Sequence, residues 1–450
     1  MPCCRGLAAC LAVLLLSGGM VHAVPAQKAP PTAAQWRDMQ LRAADKADRL
    51  MREADTRKSL LGRYEAMLAA ASQGDANPAF AIIIGQYLSW YETFIGDYPN
   101  AAANFSIQEL PQPDDRPLPP DGEAQARPAI EAISELARGR QAVFLNEAHH
   151  LPLTRTLTVQ LLARLREEGF DTFAAETLYA SDGHLAERGY PVEGTGFYTR
   201  EPICAEMVRT ALRLGYRVVA YEAESETSGD ARESRQARNL YERVFERDPH
   251  ARLVLDAGYG HIQEAGTYLG GRSMAEYFRR ISGIDPLTVD QVMLIPHPDP
   301  THDHPDYTAV MKQLAPKEPL VFMQAGKPWA LRAGYDVSVF FPPQVLRLGR
   351  PTWLALGGLR RPYPVRGEEI CRGEYPCLVE ARYASEGDDA IAADRLAFDP
   401  PPRYGPPDVG LRPAGGASIG ELYLRPGKYR LLATDAQGHP LGRRTITVSP

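Results

Sequence analysis

The chain has 450 residues, six cysteines and a formal net charge of -6. This length allows two or three domains with a large buried core. The mildly acidic balance gives no electrostatic reason to expect a nucleic-acid partner, so we predict none.

Residues 1–23 have the pattern of a secretory signal peptide. Arg5 precedes an apolar run at 11–16, and the residues at 21–23 resemble a signal peptidase site. The run is too short to cross a membrane, and no later segment is apolar over the roughly 18 residues that a span requires. We therefore expect an exported protein, periplasmic or secreted, with no transmembrane segment after signal removal. Because Arg5 is the only charged residue in this segment, its removal would change the net charge from -6 to -7.

Cysteine usage agrees with an exported protein. Three of the six cysteines lie in the signal segment, and Cys204, Cys371 and Cys377 remain. Cys371 and Cys377 enclose the short loop RGEYP, so we predict a disulfide between them. Cys204 is predicted to be a buried free thiol.

Residues 24–128 are predicted to be a linker and a helical segment. Residues 34–71 are dense in Ala, Leu, Met, Arg and Asp at helical spacing, and 78–94 form a second, apolar and aromatic helical stretch. Residues 111–128 are rich in Pro and Asp and are predicted to be a linker loop.

Residues 129–350 alternate between strand and helix patterns, which predicts an α/β domain with a mostly parallel sheet flanked by helices. The predicted helices are 130–138, 154–168, 203–214, 231–247 and 274–281. The predicted strands are 142–145, 172–175, 216–221, 252–255, 291–295, 320–323 and 337–341.

Residues 351–450 lose helical periodicity. Short alternating runs at 377–383, 421–424, 429–434 and 444–448 stand between Gly and Pro turns, which predicts a small β-sandwich. This part resembles the accessory immunoglobulin-like modules of exported bacterial proteins. Residues 399–416 are predicted to be a loop within it, and no chemistry is expected in this module.

Acids and imidazoles follow four consecutive predicted strands. These side chains are Glu147, His149 and His150 after the first strand, Glu176 after the second, Glu222 and Glu224 after the third, and Asp256 and His261 after the fourth. Tyr259, close to His261, is a further candidate for substrate or metal binding. One such residue alone is more often a helix cap or a buried hydrogen-bonded group. Parallel strands, however, present their carboxyl ends along one edge of the sheet, where ligand sites lie. The four ends together predict a shared site.

Two kinds of chemistry suit this set. Carboxylates with neutral imidazoles can hold Mn, Zn or Fe and activate a bound water. Alternatively, a histidine oriented by a carboxylate can act as general base on water, with Glu147 orienting His150. Motifs for a covalent serine hydrolase, a nucleoside-triphosphate enzyme or a dehydrogenase do not occur. The residues assigned to catalysis are Glu147, His150, Glu176 and His261.

Two further loops can border the site. The segment HPDPTHDHPD at 297–306 carries His297, His302, Asp303 and His304, and it is either a solvent-exposed turn or a lid that supplies a substrate or metal contact. The segment GTGFYTR at 194–200 is either a surface loop or, through Tyr198 or Arg200, a contact for substrate.

Several of these motifs resemble a known superfamily, the erythromycin esterases, the ChaN-type haem-binding lipoproteins and the TIKI/TraB proteins. The similar elements are NEAHH before a helix, GFDTFAAET, a third strand-end acid and AGYGH, within residues 141–345. In this resemblance Glu147 pairs with His149 at the ChaN-like spacing or with His150 at the esterase-like spacing. Glu176, Glu222 and His261 match the later elements, and Asn146 stands where the superfamily usually has Gly.

The resemblance implies three different activities. The esterase branch implies metal-independent hydrolysis by a histidine base, the TIKI branch implies metal-dependent proteolysis, and the ChaN branch implies haem binding, with His149, Tyr259 or His261 as the iron ligand. We therefore expect an exported hydrolase acting on a small-molecule or peptide substrate. The alternatives are a haem- or ligand-binding protein that uses the same pocket, and a scaffold without chemistry.

Overall fold

The computed structural model describes residues 31–105, 107, 110–119, 122–223, 227–399 and 419–450. The predicted signal peptide, Glu224 and nearly all of the predicted loop at 399–416 lie outside these residues. Within the described ranges, no helix is long and apolar enough to cross a bilayer. The predicted fold class is confirmed, since a parallel sheet flanked by helices is followed by antiparallel sheets.

The N-terminal segment is helical. It contains α1 (Ala33–Asp55), α2 (Leu60–Ser72), α3 (Pro78–Phe94) and α4 (Tyr98–Asn104). The side chains of Thr32 and Ser59 cap the first two helices, and Asn77 followed by Pro78 begins the third. Helix α3 is buried on most of its surface, as its continuous apolar and aromatic sequence requires. The segment therefore packs into the main core.

The central part alternates strands and helices. Its elements are β1 (Ala124–Pro128), α5 (Ala129–Ala137), β2 (Ala142–Glu147), α6 (Leu153–Glu167), β3 (Thr172–Ala175), α7 (Leu185–Arg188), α8 (Pro202–Arg213), β4 (Arg217–Ala220), α9 (Gly229–Val244), β5 (Leu253–Gly258), α10 (Met274–Ser282), β6 (Leu287–Asp290), α11 (Pro305–Leu314), β7 (Leu320–Gln324), β8 (Lys327–Pro328) and β9 (Val337–Ser338). Six of these strands form a parallel sheet in the order β4-β3-β5-β2-β6-β9.

Helices cover both faces of this sheet. Val143 and Leu145 of β2 face a core shared with α6, α8 and the N-terminal helices. Ala142 and Phe144 face a second core formed with α9 and α10. A strand that is buried on both faces has a continuous apolar sequence, and this is why β2 can be predicted from the sequence.

Three predicted strands differ from the structure. The strand predicted at 291–295 lies earlier, at Leu287–Asp290, because the backbone N–H of Gln291 donates to the side chain of Asn146 (2.5 Å) rather than to a neighbouring strand. The strand predicted at 320–323 is present as β7, but it pairs antiparallel with β1 in a separate sheet. Strand β1 itself occupies the last residues of the predicted linker. Of the strand predicted at 337–341, Val337–Ser338 is paired as β9.

The C-terminal part is mainly antiparallel. It contains β10 (Leu346–Arg347), β11 (Arg350–Pro351), β12 (Arg361–Arg366), α12 (Gly367–Cys371), β13 (Cys377–Tyr383), β14 (Asp394–Phe398), β15 (Ile419–Leu424), β16 (Gly427–Thr434) and β17 (Pro440–Val448). A two-stranded sheet, β12-β15, and a four-stranded sheet, β14-β13-β16-β17, share one apolar core. Cys371 and Cys377 form a disulfide at the edge of this core, and Cys204 is a buried free thiol in α8.

Candidate active site

The carboxyl ends of β2, β3 and β5 bring the predicted residues together. Glu147 ends β2, Glu176 follows β3, and Asp256 lies in β5. His261 lies in the 3₁₀ turn Tyr259–Ile262 that follows β5. All four side chains are buried, so their partners decide what chemistry they can perform.

Glu147 is held by a histidine and an arginine. Its Oε1 lies 2.8 Å from Nδ1 of His149, and Arg155 of α6 donates to both of its oxygens. Arg155 also donates to Glu201 (3.1 Å), the residue that caps α8. The prediction that Glu147 orients His150 is therefore wrong. Of the two adjacent imidazoles, His149 turns inward to the carboxylate and His150 points elsewhere.

The negative charge of this cluster lies mainly on the carboxylate of Glu147. Burial alone would raise the pKa of Glu147, but Arg155 and His149 outweigh it and hold the pKa at about 2. Burial raises the pKa of Asp256 well above its ordinary value, and the neighbouring charge on Glu147 raises it further. The raised pKa of Asp256 disfavours a second buried negative charge beside Glu147. Its carboxyl group accepts a hydrogen bond from Thr158 (2.9 Å).

A second cluster forms around Glu176. Its Oε1 accepts from Arg232 of α9 (2.7 Å) and lies 3.3 Å from Nε2 of His261. Its Oε2 accepts from the backbone N–H of Gly258 (2.6 Å). Burial raises the pKa of Glu176, but His261 and then Arg232 more than offset this and place it well below its ordinary value.

His261 has an acid at each ring nitrogen and an arginine beside one of them. Its Nδ1 lies 2.8 Å from Glu233, and its Nε2 lies 3.3 Å from both Glu176 and Nη1 of Arg232. Burial lowers the pKa of His261, but the two carboxylates outweigh it and raise the pKa to about 10. The imidazole is thus protonated at neutral pH and cannot act as a base. Glu222, the third strand-end acid, is likewise bound by Arg232 (3.1 Å to Nε).

These clusters do not suit a metal ion. Within the described ranges, no group of three or more His, Cys, Asp or Glu side chains is arranged to hold one. The physical reason is that Arg155 and Arg232 already bind the oxygens of Glu147 and Glu176, and each guanidinium would repel a cation. The predicted divalent-metal site is therefore not supported by these residues.

Two of the three candidate iron ligands, His149 and His261, are inaccessible to a haem group. The ring of His149 stacks on Tyr198, with centroids 3.9 Å apart. A Cβ at Gly258 would lie 2.4 Å from its Nε2, so the ring packs directly on the backbone there. His261 has acids at both nitrogens. Neither imidazole can present a nitrogen to haem iron.

His150 and Tyr259 open instead onto a cavity of about 360 Å³. It lies between the chain that follows α4 and the loop that follows β6. Its apolar wall includes Phe105, Ile107, Val292 and Ile295. A mostly apolar pocket with a few polar groups is the usual form of a small-molecule site.

His150 is kept neutral in this cavity. Its ring stacks face to face on Phe105, with centroids 3.6 Å apart and 2° between the planes, and its Nδ1 lies 3.2 Å from the Tyr259 hydroxyl. Burial lowers the pKa of His150 well below its ordinary value, and the nearby rings of His149 and His297 lower it further. Tyr259 adopts a left-handed backbone (φ 48°), a conformation that non-glycine residues keep mainly where structure demands it.

Asn146 is a buried hydrogen-bonding side chain that holds the backbone of Tyr259. Its Nδ2 donates to the carbonyl of Tyr259 and to Asp290 (both 3.0 Å), and its Oδ1 accepts from the backbone of Gln291. The side chain is fully buried and links the ends of β2, β5 and β6. Asn146 is therefore a cross-link between strands.

The two flanking loops have different roles. His297 and His302 line the cavity, whereas His304 accepts the backbone N–H of Asp306 at the start of α11 and faces Asp115 (3.4 Å). His304 is thus a helix cap and not a site residue. In the other loop, Tyr198 covers His149, and Arg200 faces Asp55 of α1 rather than the cavity.

The arginines are the residues that the sequence prediction missed. Arg155 lies two turns before Leu162 on the buried face of α6, and a buried arginine requires an acidic partner. Arg232 stands in the same way on the face of α9 that carries Gln236. Both buried arginines could therefore have been predicted from the helical pattern of the sequence. The role of Phe105 could not, because the packing of α4 determines its position.

Known proteins give little further information. No protein-family model matches this chain, and no curated protein matches it significantly. Among solved structures it is similar to the type III effector HopBA1, with 14% identity, a TM-score of 0.28, and coverage of 43% of this chain and 96% of that chain.

Two toxin structures show a similar degree of likeness. The C-terminal region of Pasteurella multocida toxin, described as having a thiol-protease-like catalytic triad, has 12% identity, a TM-score of 0.27, and coverage of 56% of this chain and 31% of that one. RRSP, a MARTX toxin effector domain from Vibrio vulnificus, has 12% identity, a TM-score of 0.26, and coverage of 57% and 45%. This chain thus matches less than half of either toxin chain, and TM-scores of this size support no conclusion about its function.

Proposed function

We propose that this chain is an exported, metal-independent hydrolase in which neutral His150 activates water. The observation that carries the proposal is that His150 opens onto the cavity with its pKa held well below the ordinary range. The other strand-end groups, Glu147, Glu176 and His261, are bound in ion pairs and act as the support for this base. Among the branches of the superfamily, this arrangement fits the esterase-like one best.

Tyr259 takes the orienting role that was expected of Glu147. When Nδ1 of His150 donates to the Tyr259 hydroxyl oxygen, Nε2 carries the free electron pair and is the basic nitrogen. A water bound in the cavity gives a proton to Nε2 as its oxygen attacks a carbonyl carbon. The apolar wall around Phe105 and Ile295 favours an ester or amide with an apolar acyl or alcohol group.

The test is hydrolysis of p-nitrophenyl esters and peptide p-nitroanilides of apolar acids, with and without EDTA. We expect His150→Gln to lower kcat/KM by about 10² or more, which is the usual contribution of a general base. His184→Gln is the matched control, since His184 is 84% exposed and lies on the surface. EDTA should have no effect.

The pH profile gives a second readout. A base needs its neutral form, and the lowered pKa of His150 keeps that form populated below pH 6.5. We therefore expect kcat/KM to stay level from pH 8 to pH 6.5 and to fall only in more acidic buffer. Undiminished activity of His150→Gln would overturn the proposal.

The second candidate is ligand binding without turnover. One observation favours it: of the three candidate iron ligands, Tyr259 does line the cavity. A haem titration then gives a Soret shift that Tyr259→Phe abolishes and His149→Gln leaves unchanged. If the folded chain produces no Soret shift, this candidate is excluded.

A further inference from the structure

A second imidazole in the cavity has a carboxylate partner. His297 follows β6, and its Nδ1 lies 3.0 Å from Oδ1 of Asp303. The same oxygen accepts the backbone N–H of His297 (2.8 Å), so the carboxylate fixes both the ring and the chain that carries it. The two side chains are largely buried, with exposed fractions of 16% and 13%.

His297 and His150 face one cavity from two neighbouring strands. His150 follows β2 and His297 follows β6, and these strands are hydrogen-bonded neighbours in the sheet. Both rings line the cavity wall. A substrate bound there would be bordered by both imidazoles, one of which can accept a proton while the other donates one.

The partners of the two rings differ in a way that assigns their roles. His150 has the Tyr259 hydroxyl at Nδ1 and the apolar face of Phe105 against its ring, which favour an uncharged base. His297 has the Asp303 carboxylate, a hydrogen-bond acceptor, 3.0 Å from Nδ1, where His150 has a phenol. The two imidazoles are therefore oriented by chemically different partners, which suits them to different proton-transfer steps.

We propose that His297, positioned by Asp303, is the general acid that protonates the leaving group; this rests on the hydrolysis proposed above. In ester hydrolysis, water oxygen bonds to the carbonyl carbon, its proton passes to Nε2 of His150, and the C=O π pair moves onto the carbonyl oxygen. The C=O bond then re-forms as the bond from carbon to the leaving oxygen breaks, and that leaving oxygen keeps the electron pair and takes the proton from Nε2 of His297. His150 afterwards releases its proton and His297 regains one from water, so an ester and water give a carboxylic acid and an alcohol.

The experiment compares two esters of one apolar acid, a p-nitrophenyl ester and an ethyl ester. p-Nitrophenolate leaves without protonation, whereas ethoxide needs an acid. We expect His297→Gln to lower kcat for the ethyl ester by about 10² and for the p-nitrophenyl ester by only a few fold. Asp303→Asn should show the same selectivity with a smaller loss. His302→Gln, in the same loop and cavity, is the matched control and should change both rates by one common factor.

The outcomes separate this inference from the hydrolase proposal. If His150→Gln inactivates the chain on both esters but His297→Gln slows both by the same factor, or neither, then His297 is not the acid. If His150→Gln retains activity on both, or the unaltered chain hydrolyses neither ester, the hydrolase proposal and this inference fail together. Circular dichroism of each variant verifies that it is folded.

Discussion

Two neighbouring regions at one edge of the parallel sheet contain similar residues but serve different purposes, support of the fold and the proposed chemistry. The ion-pair network consists of Glu147, His149, Arg155, Glu176, Arg232 and His261. The cavity, immediately beside it, is served by His150, Tyr259 and His297. In the network each carboxylate has a guanidinium partner and is fully enclosed. In the cavity, His150 has a neutral phenol partner and faces open space.

This difference indicates which buried groups are available for reaction. A carboxylate whose oxygens are bound by arginine and histidine is stable, but it has no free electron pair to offer a substrate. A neutral imidazole in a cavity keeps such a pair and costs little to hold there. The residues bound to arginine therefore build the support, and the imidazoles that line the cavity carry the proposed chemistry.

The largest expected effect comes from breaking the network at Arg155. Arg155→Met leaves Glu147 and Glu201 buried without their cation, so we expect the free energy of unfolding to fall by about 3 to 5 kcal/mol. Urea unfolding followed by circular dichroism measures it. Arg164→Met is the control, since its pair with Glu167 is exposed on the same helix and should matter little. A loss under about 1 kcal/mol for Arg155→Met would show that the network is not what stabilises the sheet edge.

An effect of comparable size is expected on the stability at alkaline pH. The pKa of His261 is about 10 in the folded chain and about 6.5 in the unfolded chain. A raised pKa contributes stability that is full below pH 6.5 and is lost as pH rises through 10, by a few kcal/mol at roughly 1.4 kcal/mol per unit.

The measurement is unfolding free energy against pH for the parent chain and for His261→Gln. The parent should lose more stability than the variant between pH 6.5 and 10. Burial also raises the pKa of Cys204, which weakens both chains in the upper part of this range, so the difference between them isolates His261. Parallel curves would mean that His261 is not charged inside the network.

Much of this comparison could be predicted from the sequence. Apolar runs such as 142–145 and 172–175 identified the strands, and the acids after them identified the edge where Glu147, Glu176 and His261 meet. Periodicity reports which residues are buried, and a parallel sheet places its carboxyl ends together.

The sequence could not predict which of two adjacent residues faces the site or which strands pair with each other. Adjacent residues such as His149 and His150 point to different sides, and only the packing of α6 and the turn at Tyr259 decides which ring meets the carboxylate. Pairing partners in the sheet are equally hidden, as the antiparallel partner of β7 shows. Both depend on contacts distant in sequence, which local patterns do not encode.

A moderate loss of stability is expected on replacing Asn146, where the ion-pair network and the cavity join. Asn146→Ala removes three hydrogen bonds together: those that Nδ2 donates to Asp290 and to the carbonyl of Tyr259, and the one that Oδ1 accepts from the N–H of Gln291. We therefore expect a loss of about 2 kcal/mol. Because one of these bonds holds the backbone of Tyr259, kcat should fall with stability. Asn146→Gly, which also lacks the amide, should be no better. Recovery of parent stability by the glycine variant would show that the amide cross-link is unimportant.

The smallest effect on stability is expected at Phe105, yet it acts directly on the cavity. The ring is only partly buried, and losing its stack on His150 should cost about 1 kcal/mol of unfolding free energy in Phe105→Ala. Water then reaches the imidazole, so the pKa of His150 should rise toward its ordinary value and the acidic limb of kcat/KM should move to higher pH. Phe105→Leu keeps an apolar cover and should leave that limb near its parental position. If the alanine variant keeps the parental limb, desolvation by Phe105 is not what holds His150 neutral, and the contrast between cavity and network would then rest on its neighbouring histidines alone.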